Sequence, residues 1–377
     1  MDILIVAMEA SGDLHGAAVL EALRQALPTP LRPWGVGGPA LRAAGLKAYA
    51  HAEEFSAMGI GDVLHHVPRL LRLRQHLLYL ARKRHPPALA LLCDAPDFNL
   101  ALGHRLRLHR VPVAMLIAPQ AWAWRPQRAR TMRDEIDLLL TLFPFEPAFF
   151  RPYGIPTQYI GHPLAAAARS QSPQPAPHRR ALVLLPGSRP AELQRHLPVM
   201  LQARARLEAL AHTHTTVLAV APTLAPDTIQ KLLGPAHRDI ELISGARAAL
   251  DRAALAIVAS GTASLEAAIA GVPSVVIYRT DPLTWAIARR LVRTPYIAMP
   301  NILHQGPLFP ELLQQEVTPE RIVQAAQRVI QRGPQLKEAM HRVVESLQPP
   351  HPWTDPSVCA AAQLIRHFAL AEPISSM

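Results

Sequence analysis

Cysteine is nearly absent: the 377 residues hold two, Cys93 and Cys359. Two thiols make neither a disulfide framework nor a metal-ligand pattern, so a reducing compartment fits and no metal is expected. The chain also lacks an uninterrupted run of about 18 apolar residues, which excludes an ordinary transmembrane helix. Any membrane contact is therefore expected to be peripheral. The opening M-D-I-L-I-V-A-M-E-A has an acid at position 2 and no basic stretch, so it reads as a first strand and not as a secretory signal. Acidic side chains are few, 28 against 39 Lys and Arg, leaving a net charge of +11. That excess implies an anionic partner: nucleic acid, phospholipid or a phosphorylated ligand. Aromatic residues make up only 5%, and the arginines interleave with leucines. No run of basic and aromatic residues suggests a strand-binding groove, so nucleic acid is not expected. G-x-G-x-x-G is missing too, and with it the dinucleotide fingerprint.

Half of the chain is hydrophobic, and its length suggests two domains. The pattern centres on residues 255–266, L-A-I-V-A-S-G-T-A-S-L-E. The apolar start, with β-branched Ile257 and Val258, suits a buried parallel strand. Ser260-Gly261-Thr262 breaks the run, and good helix formers follow. A strand, a small-residue turn and a helix opening present unpaired N–H groups to an anion. Gly261 allows close approach to the main chain, and Glu266, one turn later, suits sugar hydroxyls. An ordinary βα turn with a solvated glutamate has the same signature.

In the first half, residues 3–7 form a strand pattern that runs into Met8-Glu9-Ala10-Ser11-Gly12-Asp13 and a helix to about residue 27. Glu9, Ser11 and Asp13 stand at the carboxyl end of that strand, where open α/β sheets bind ligands. Ser11 or Asp13 suits helix capping equally well. The apolar strand at 88–93 ends in D-A-P-D-F-N. Asp94, at its tip, is placed to act as a general base toward a hydroxyl, while Asp97 and Asn99 suit either a ligand or a helix cap. After a strand at 112–117 comes P-Q-A-W-A-W-R, from Pro119. Trp122 and Trp124, beside Arg125, Arg128, Arg130 and Arg133, fit an acyl chain and a phosphate, or a core with a solvated basic helix. Strands follow at 138–142 and 158–163. Within 64–84, eight leucines and valines span roughly 200° at about 100° per residue, wider than a core stripe needs. Val67, Leu70, Leu71, Arg74 and Leu78 are the candidates for contact with an anionic bilayer, Arg74 by snorkelling. A fully buried helix or a subunit contact, such as a homodimer's, fits the same arc.

The polar, proline-rich stretch at 170–180 reads as a linker between a domain at 1–169 and one at 181–347. The alternation then restarts. A strand at 181–185 leads into Pro186-Gly187-Ser188-Arg189, in which Gly187 and Ser188 offer main-chain donors and Arg189 a phosphate fork. Strands are expected at 216–221, 240–243, 255–259 and 273–277, with a further short strand before Asn301. Helices are expected at 192–210, 227–233, 283–292 and 319–332. A tail at 348–377, helical from about 357, returns to the first domain or goes to a partner subunit. Alternating β and α elements in both halves imply two open parallel sheets facing a cleft.

Taken together, E-A-S-G-D from Glu9, S-A-M-G-I-G-D-V-L from Ser56, D-A-P-D-F-N from Asp94, P-Q-A-W-A-W from Pro119, L-L-P-G-S-R from Leu184, S-G-T-A-S-L-E from Ser260, P-N-I-L from Pro300 and E-L-L-Q from Glu311 resemble the lipid-A-disaccharide synthases. Each motif is weak alone; in order and over nearly the whole chain they are specific. The resemblance implies a GT-B glycosyltransferase, with two Rossmann-like α/β domains and no required metal or other cofactor. It implies transfer of 2,3-diacylglucosamine from UDP-2,3-diacylglucosamine to 2,3-diacylglucosamine 1-phosphate (lipid X), with inversion, in lipid A biosynthesis. It also implies a cytoplasmic enzyme, peripheral on the inner face of the inner membrane of a Gram-negative bacterium.

Carried onto this chain, the resemblance makes Asp94 the base. It makes Gly187, Ser188, Arg189, Ser260, Gly261, Thr262, Glu266 and Asn301 the nucleotide site. Glu9, Ser11, Asp13, Asp97, Asn99, Gln120 and Trp122 would form the acceptor side. Met8, Ala118 and Met299 depart from the family's usual glycine, serine and leucine, which bears on the acceptor pocket. A UDP-N-acetylglucosamine 2-epimerase or a lipid-linked peptidoglycan transferase is the nearest alternative on the same scaffold. A non-catalytic nucleic-acid-binding protein is the alternative of another class.

Overall fold

The computed structural model describes residues 1–56, 63–170, 180–211, 213, 215–221, 226–234 and 239–370. The centre of the motif at 56–64 and the linker at 171–179 lie outside the described residues. The chain divides into two compact units, Met1–Ala166 with Leu347–Met377, and Ala167–Ser346.

The first unit is built on seven strands: β1 Asp2–Val6, β2 Arg32–Gly37, β3 Lys47–His51, β4 Leu89–Leu92, β5 Val113–Leu116, β6 Leu138–Thr141 and β7 Thr157–Tyr159. Their order is β3-β2-β1-β4-β5-β6-β7, and every pairing is parallel. A parallel sheet is covered on both faces, so its strands read as continuous apolar runs. Successive side chains still point to opposite faces. Leu4 and Val6 join one core with Leu92, Met115, Phe98 and Leu102, together with Leu77 and Leu80 of the Val63–Lys83 helix. Ile3 and Ile5 join the other with Leu91, Leu140 and the Ala10–Ala26 helix, through Val19, Leu20 and Leu23. The Pro356–Phe368 helix closes that second face through Cys359, Ala360 and Leu364, so the tail returns to the first unit.

The second unit has six strands: β8 Ala181–Leu185, β9 Thr215–Val220, β10 Ile240–Ser244, β11 Ala253–Ala259, β12 Ser274–Tyr278 and β13 Glu311–Leu313. Their order is β10-β9-β8-β11-β12-β13, again all parallel. Several elements differ from the reading of the sequence, among them the short strand β13, which was not expected. β3, K-A-Y-A-H, is a half-exposed edge strand with too few large apolar residues to announce itself. The Gly333–Ser346 helix, absent from that reading, opens on a Gly-Pro pair, and proline fits the first turn of a helix. Asn301 does not follow a strand; it lies inside the Met299–His304 helix.

Both sheets reverse direction once. In the first unit the chain works outward from β1 through β2 and β3, then restarts at β4 on the other side of β1. In the second it does the same from β8, restarting at β11. Loops that leave neighbouring parallel strands in opposite directions open a crevice at the carboxyl edge, the usual ligand position in such sheets.

Candidate active site

At the first reversal, the end of β1 meets the end of β4. Asp94 follows β4 and is 7% exposed. Its Oδ1 accepts the Met8 N–H at 2.8 Å and its Oδ2 the Glu9 N–H at 2.9 Å. These amides open the Ala10–Ala26 helix, so the carboxylate sits at a positive helix end. Burial opposes the charge, helped by Glu9 and Asp13, and wins over the two donors: the carboxyl is pushed from 3.8 up to about 6. Each oxygen has spent one lone pair and keeps another, so the carboxylate can still take a proton.

The E-A-S-G-D glycine has a steric cause, because a Cβ on Gly12 would lie 1.9 Å from Asp94 Oδ2. The backbone is strained on both sides of the site. Ala95, directly after Asp94, has φ 40°, and Ile117, directly after β5, has φ 73°. A β-branched residue is rarely found there, and such strain concentrates at functional sites.

The other first-unit candidates divide. Glu9, Ser11 and Gln120 are exposed at the carboxyl edge. Asp13 is buried, and its carboxylate accepts the N–H groups of Gly38, Ala40 and Leu41 at 2.7, 2.8 and 3.1 Å. It caps the Pro39–Ala43 helix, not its own, and is committed to structure. Asn99 is fully buried; its Nδ2 donates to the Asp94 carbonyl at 2.5 Å and the Val6 carbonyl at 3.4 Å, tying β4 to β1. It faces no ligand. Asp97 points to solvent and pairs with Arg128 at 2.9 Å. Neither Asp97 nor Asn99 caps its helix, whose N-cap is Ala95. Trp122 is half-buried and donates from Nε1 to Glu146 Oε1 at 3.1 Å.

At the second reversal, the loops after β8 and β11 are neighbours, since those strands pair directly. Pro186-Gly187-Ser188-Arg189 enters the Pro190–Leu210 helix. The donors expected for a phosphate are already engaged in part: Glu192 Oε2 accepts from the N–H of Ser188 at 3.0 Å and of Arg189 at 3.3 Å. The Arg189 side chain is 80% exposed and touches Glu192 only at 3.4 Å. An exposed pair of that kind costs little to break. The loop after β11 is Ser260-Gly261-Thr262. Gly261 has φ 150° and ψ −159°, a conformation open essentially to glycine, and nothing would crowd a Cβ there. Gly261 and Thr262 are exposed at the start of the Thr262–Ile269 helix. Glu266 is half-buried, and burial raises its pKa while Arg247 opposes the rise.

Asn301 departs from its expected part. It is fully buried; Nδ2 donates to the Phe309 carbonyl and to Glu311 Oε1, both at 2.8 Å, and Oδ1 accepts the Phe309 N–H at 2.8 Å. Glu311 in turn accepts the N–H groups of Ile297 and Ala298 at 3.0 Å each. The P-N-I-L and E-L-L-Q motifs are thus two halves of one internal brace. His196 escaped notice in the sequence. Fully buried, it bonds the Pro186 carbonyl through Nδ1 at 2.7 Å and accepts the Arg279 N–H at Nε2 at 2.9 Å. One ring nitrogen donates and the other accepts, which describes a neutral imidazole; burial lowers its pKa accordingly. It holds the loop after β8 to the end of β12. A histidine inside an otherwise ordinary helix gives no sign of this.

Two α/β units, each built on an open parallel sheet with one reversal, define the GT-B fold class. Among solved structures, the chain is similar to the glycotransferase of kitacinnamycin, with a TM-score of 0.63 at 16% identity, covering 97% of this chain and 99% of that one. It is also similar to a UDP-GlcNAc 2-epimerase from Neisseria meningitidis, with a TM-score of 0.60 at 14% identity over 98% of this chain and all of that one (100%). These likenesses speak for the fold alone. The family model for lipid-A-disaccharide synthetase matches residues 3–354. Lipid-A-disaccharide synthases of Anaeromyxobacter dehalogenans and Azotobacter vinelandii are 41% and 38% identical, covering 87% and 92% of this chain and 88% and 94% of theirs. The chain belongs to the lipid-A-disaccharide synthase family, and is a glycosyltransferase of lipid A biosynthesis.

Proposed function

We propose that this chain transfers 2,3-diacylglucosamine from its UDP derivative to 2,3-diacylglucosamine 1-phosphate, with Asp94 as the general base. Asp94 takes the proton of the acceptor 6-hydroxyl as that oxygen attacks the anomeric carbon. The bond from that carbon to the diphosphate breaks, its electrons leave with UDP, and configuration inverts to a β-1,6 link. The observation that carries the reading is the Asp94 carboxylate, fixed at the first reversal by two main-chain amides and held near the operating pH by burial. Incubation with both acylated substrates in detergent should yield the disaccharide phosphate and UDP by mass. Release of free sugar or an epimerised UDP-sugar would support the epimerase alternative instead.

UDP is assigned to the loops after β8 and β11. Arg189 and the amides at Gly261 and Thr262 take the charge of the leaving diphosphate, the task a metal performs in other transferases, and Glu266 takes the ribose. Arg189→Ala and Glu266→Ala should each weaken UDP binding by roughly ten- to a hundredfold, the value of a charge-assisted hydrogen bond. Unchanged affinity in calorimetry would remove the residue from the site.

Peripheral attachment to the inner face of the inner membrane is assigned to the Val63–Lys83 helix. No helix among the described residues is long and apolar enough to cross a membrane. On that helix Val67 and Leu71 are 40% and 43% exposed, Arg74 is half-buried beside them, and Arg69 and Arg72 are exposed. Leu70 and Leu78, expected in the same patch, pack against the core instead. Joint replacement Val67→Ser and Leu71→Ser should cut co-sedimentation with anionic vesicles at least tenfold, at about 1.5–3 kcal/mol per buried side chain, with turnover in detergent preserved. Unaltered partition would point to another use for this face.

A further inference from the structure

The loops after β5 and β6 carry a cluster that the general-base chemistry does not use. Trp122 and Phe145 meet edge to face with ring centres 4.9 Å apart, and Phe143 stacks on Phe145 at 5.8 Å. All three rings are half-exposed. Under them lies Glu146, buried to 2%. It accepts Trp122 Nε1–H at 3.1 Å on one oxygen and the Phe143 N–H at 3.1 Å on the other. A carboxyl in such a place is expensive. Burial drives its pKa up to about 8 against the donors around it, a cost that a mere filler side chain would avoid.

We propose that Glu146 is a positioning residue: by holding Trp122, it shapes an aromatic platform that receives the hydrocarbon root of the acceptor's acyl chains. This rests on the transferase reading above and adds the acceptor's subsite. Two observations carry it. The first is place. β4, β5 and β6 are adjacent parallel strands, so the loops that carry the platform leave the same sheet edge as Asp94, one and two strand spacings of about 5 Å along it. The second is chemistry. Glu146 consumes the indole N–H and the Phe143 amide, the polar groups that a sugar hydroxyl would otherwise seek. What these rings still offer is carbon, which matches methylene groups and not hydroxyls.

The test measures steady-state kinetics in mixed micelles for acceptors with full-length and shortened acyl chains, beside UDP affinity by calorimetry. Trp122→Ala should raise KM for the long-chain acceptor at least tenfold, with kcat within about threefold and UDP affinity within twofold. It should also flatten the dependence of kcat/KM on chain length, which in the parent enzyme approaches roughly fourfold per methylene if each is fully buried. Glu146→Gln keeps the volume, but its amide can accept only one of the two N–H groups; it should show the same split with a smaller rise, as should Trp122→Phe. A loss in kcat without a change in acceptor KM would overturn the proposal, and so would equal losses with short and long chains. If Trp122→Ala does not fold, the other two variants carry the same comparison. Should the parent enzyme make no disaccharide at all, the transferase reading falls; should it do so while chain-length dependence survives in every variant, only the platform falls.

Discussion

Asp94→Asn should lower turnover by about two to four orders of magnitude, the usual worth of a placed general base, while UDP affinity stays within twofold. The separation is expected because Asp94 belongs to the first unit and the loops we assign to UDP belong to the second. Asparagine has nearly the same shape but only one acceptor oxygen, so it can satisfy one of the Met8 and Glu9 amides and cannot take a proton. The parent enzyme should lose rate as pH falls through about 6, with a one-proton slope, since only the ionised carboxylate acts as base. Stability runs the other way. The folded value lies above 3.8, so the fold favours the protonated form. That contribution is full below about 4 and is lost as pH rises through about 6. Substantial turnover in Asp94→Asn, or an acid limb that survives the substitution unchanged, would take the base role away from Asp94.

Asn301→Ala should lower the melting temperature of the second unit by roughly 6–12 °C. The substitution strands the buried N–H and carbonyl of Phe309 and removes a donor from Glu311. At about 1–3 kcal/mol for each buried group left unpaired, a total of about 3 kcal/mol is reasonable. In a domain of this size each kcal/mol moves the transition by about 2–4 °C. UDP affinity measured well below the transition should change by less than about threefold. The opposite result, weak UDP binding with an unmoved transition, would return Asn301 to the nucleotide site that its motif suggested.

That contrast shows what the sequence can and cannot say about a motif. Asp94 and Asn301 are both polar residues in family patterns. One accepts two main-chain amides and keeps acceptor capacity, the other ends on three internal hydrogen bonds, and nothing local distinguishes them. Asp13 makes the same point. It reads as a ligand group or a cap for its own helix, and it caps another helix 25 residues away. The leucine-rich helix was legible as a face too wide for a core. Which leucines form the surplus was not, because Leu70 and Leu78 are claimed by neighbours from elsewhere in the chain. Glu146 gives no local sign of its part, since its partners, Trp122 and the Phe143 amide, come from two different loops.

By itself, the sequence determined the alternation of strand and helix, the two-domain α/β class, the glycine turns after the central strands and, through ordered motifs, the family. Those are local or periodic properties, written in neighbouring residues and in apolar spacing. The tertiary structure alone decided which ends of which strands lie side by side, and therefore which polar atoms are used up and which are left for a substrate. Hydrogen-bond capacity is finite, and partners contributed by distant segments decide how much of it remains.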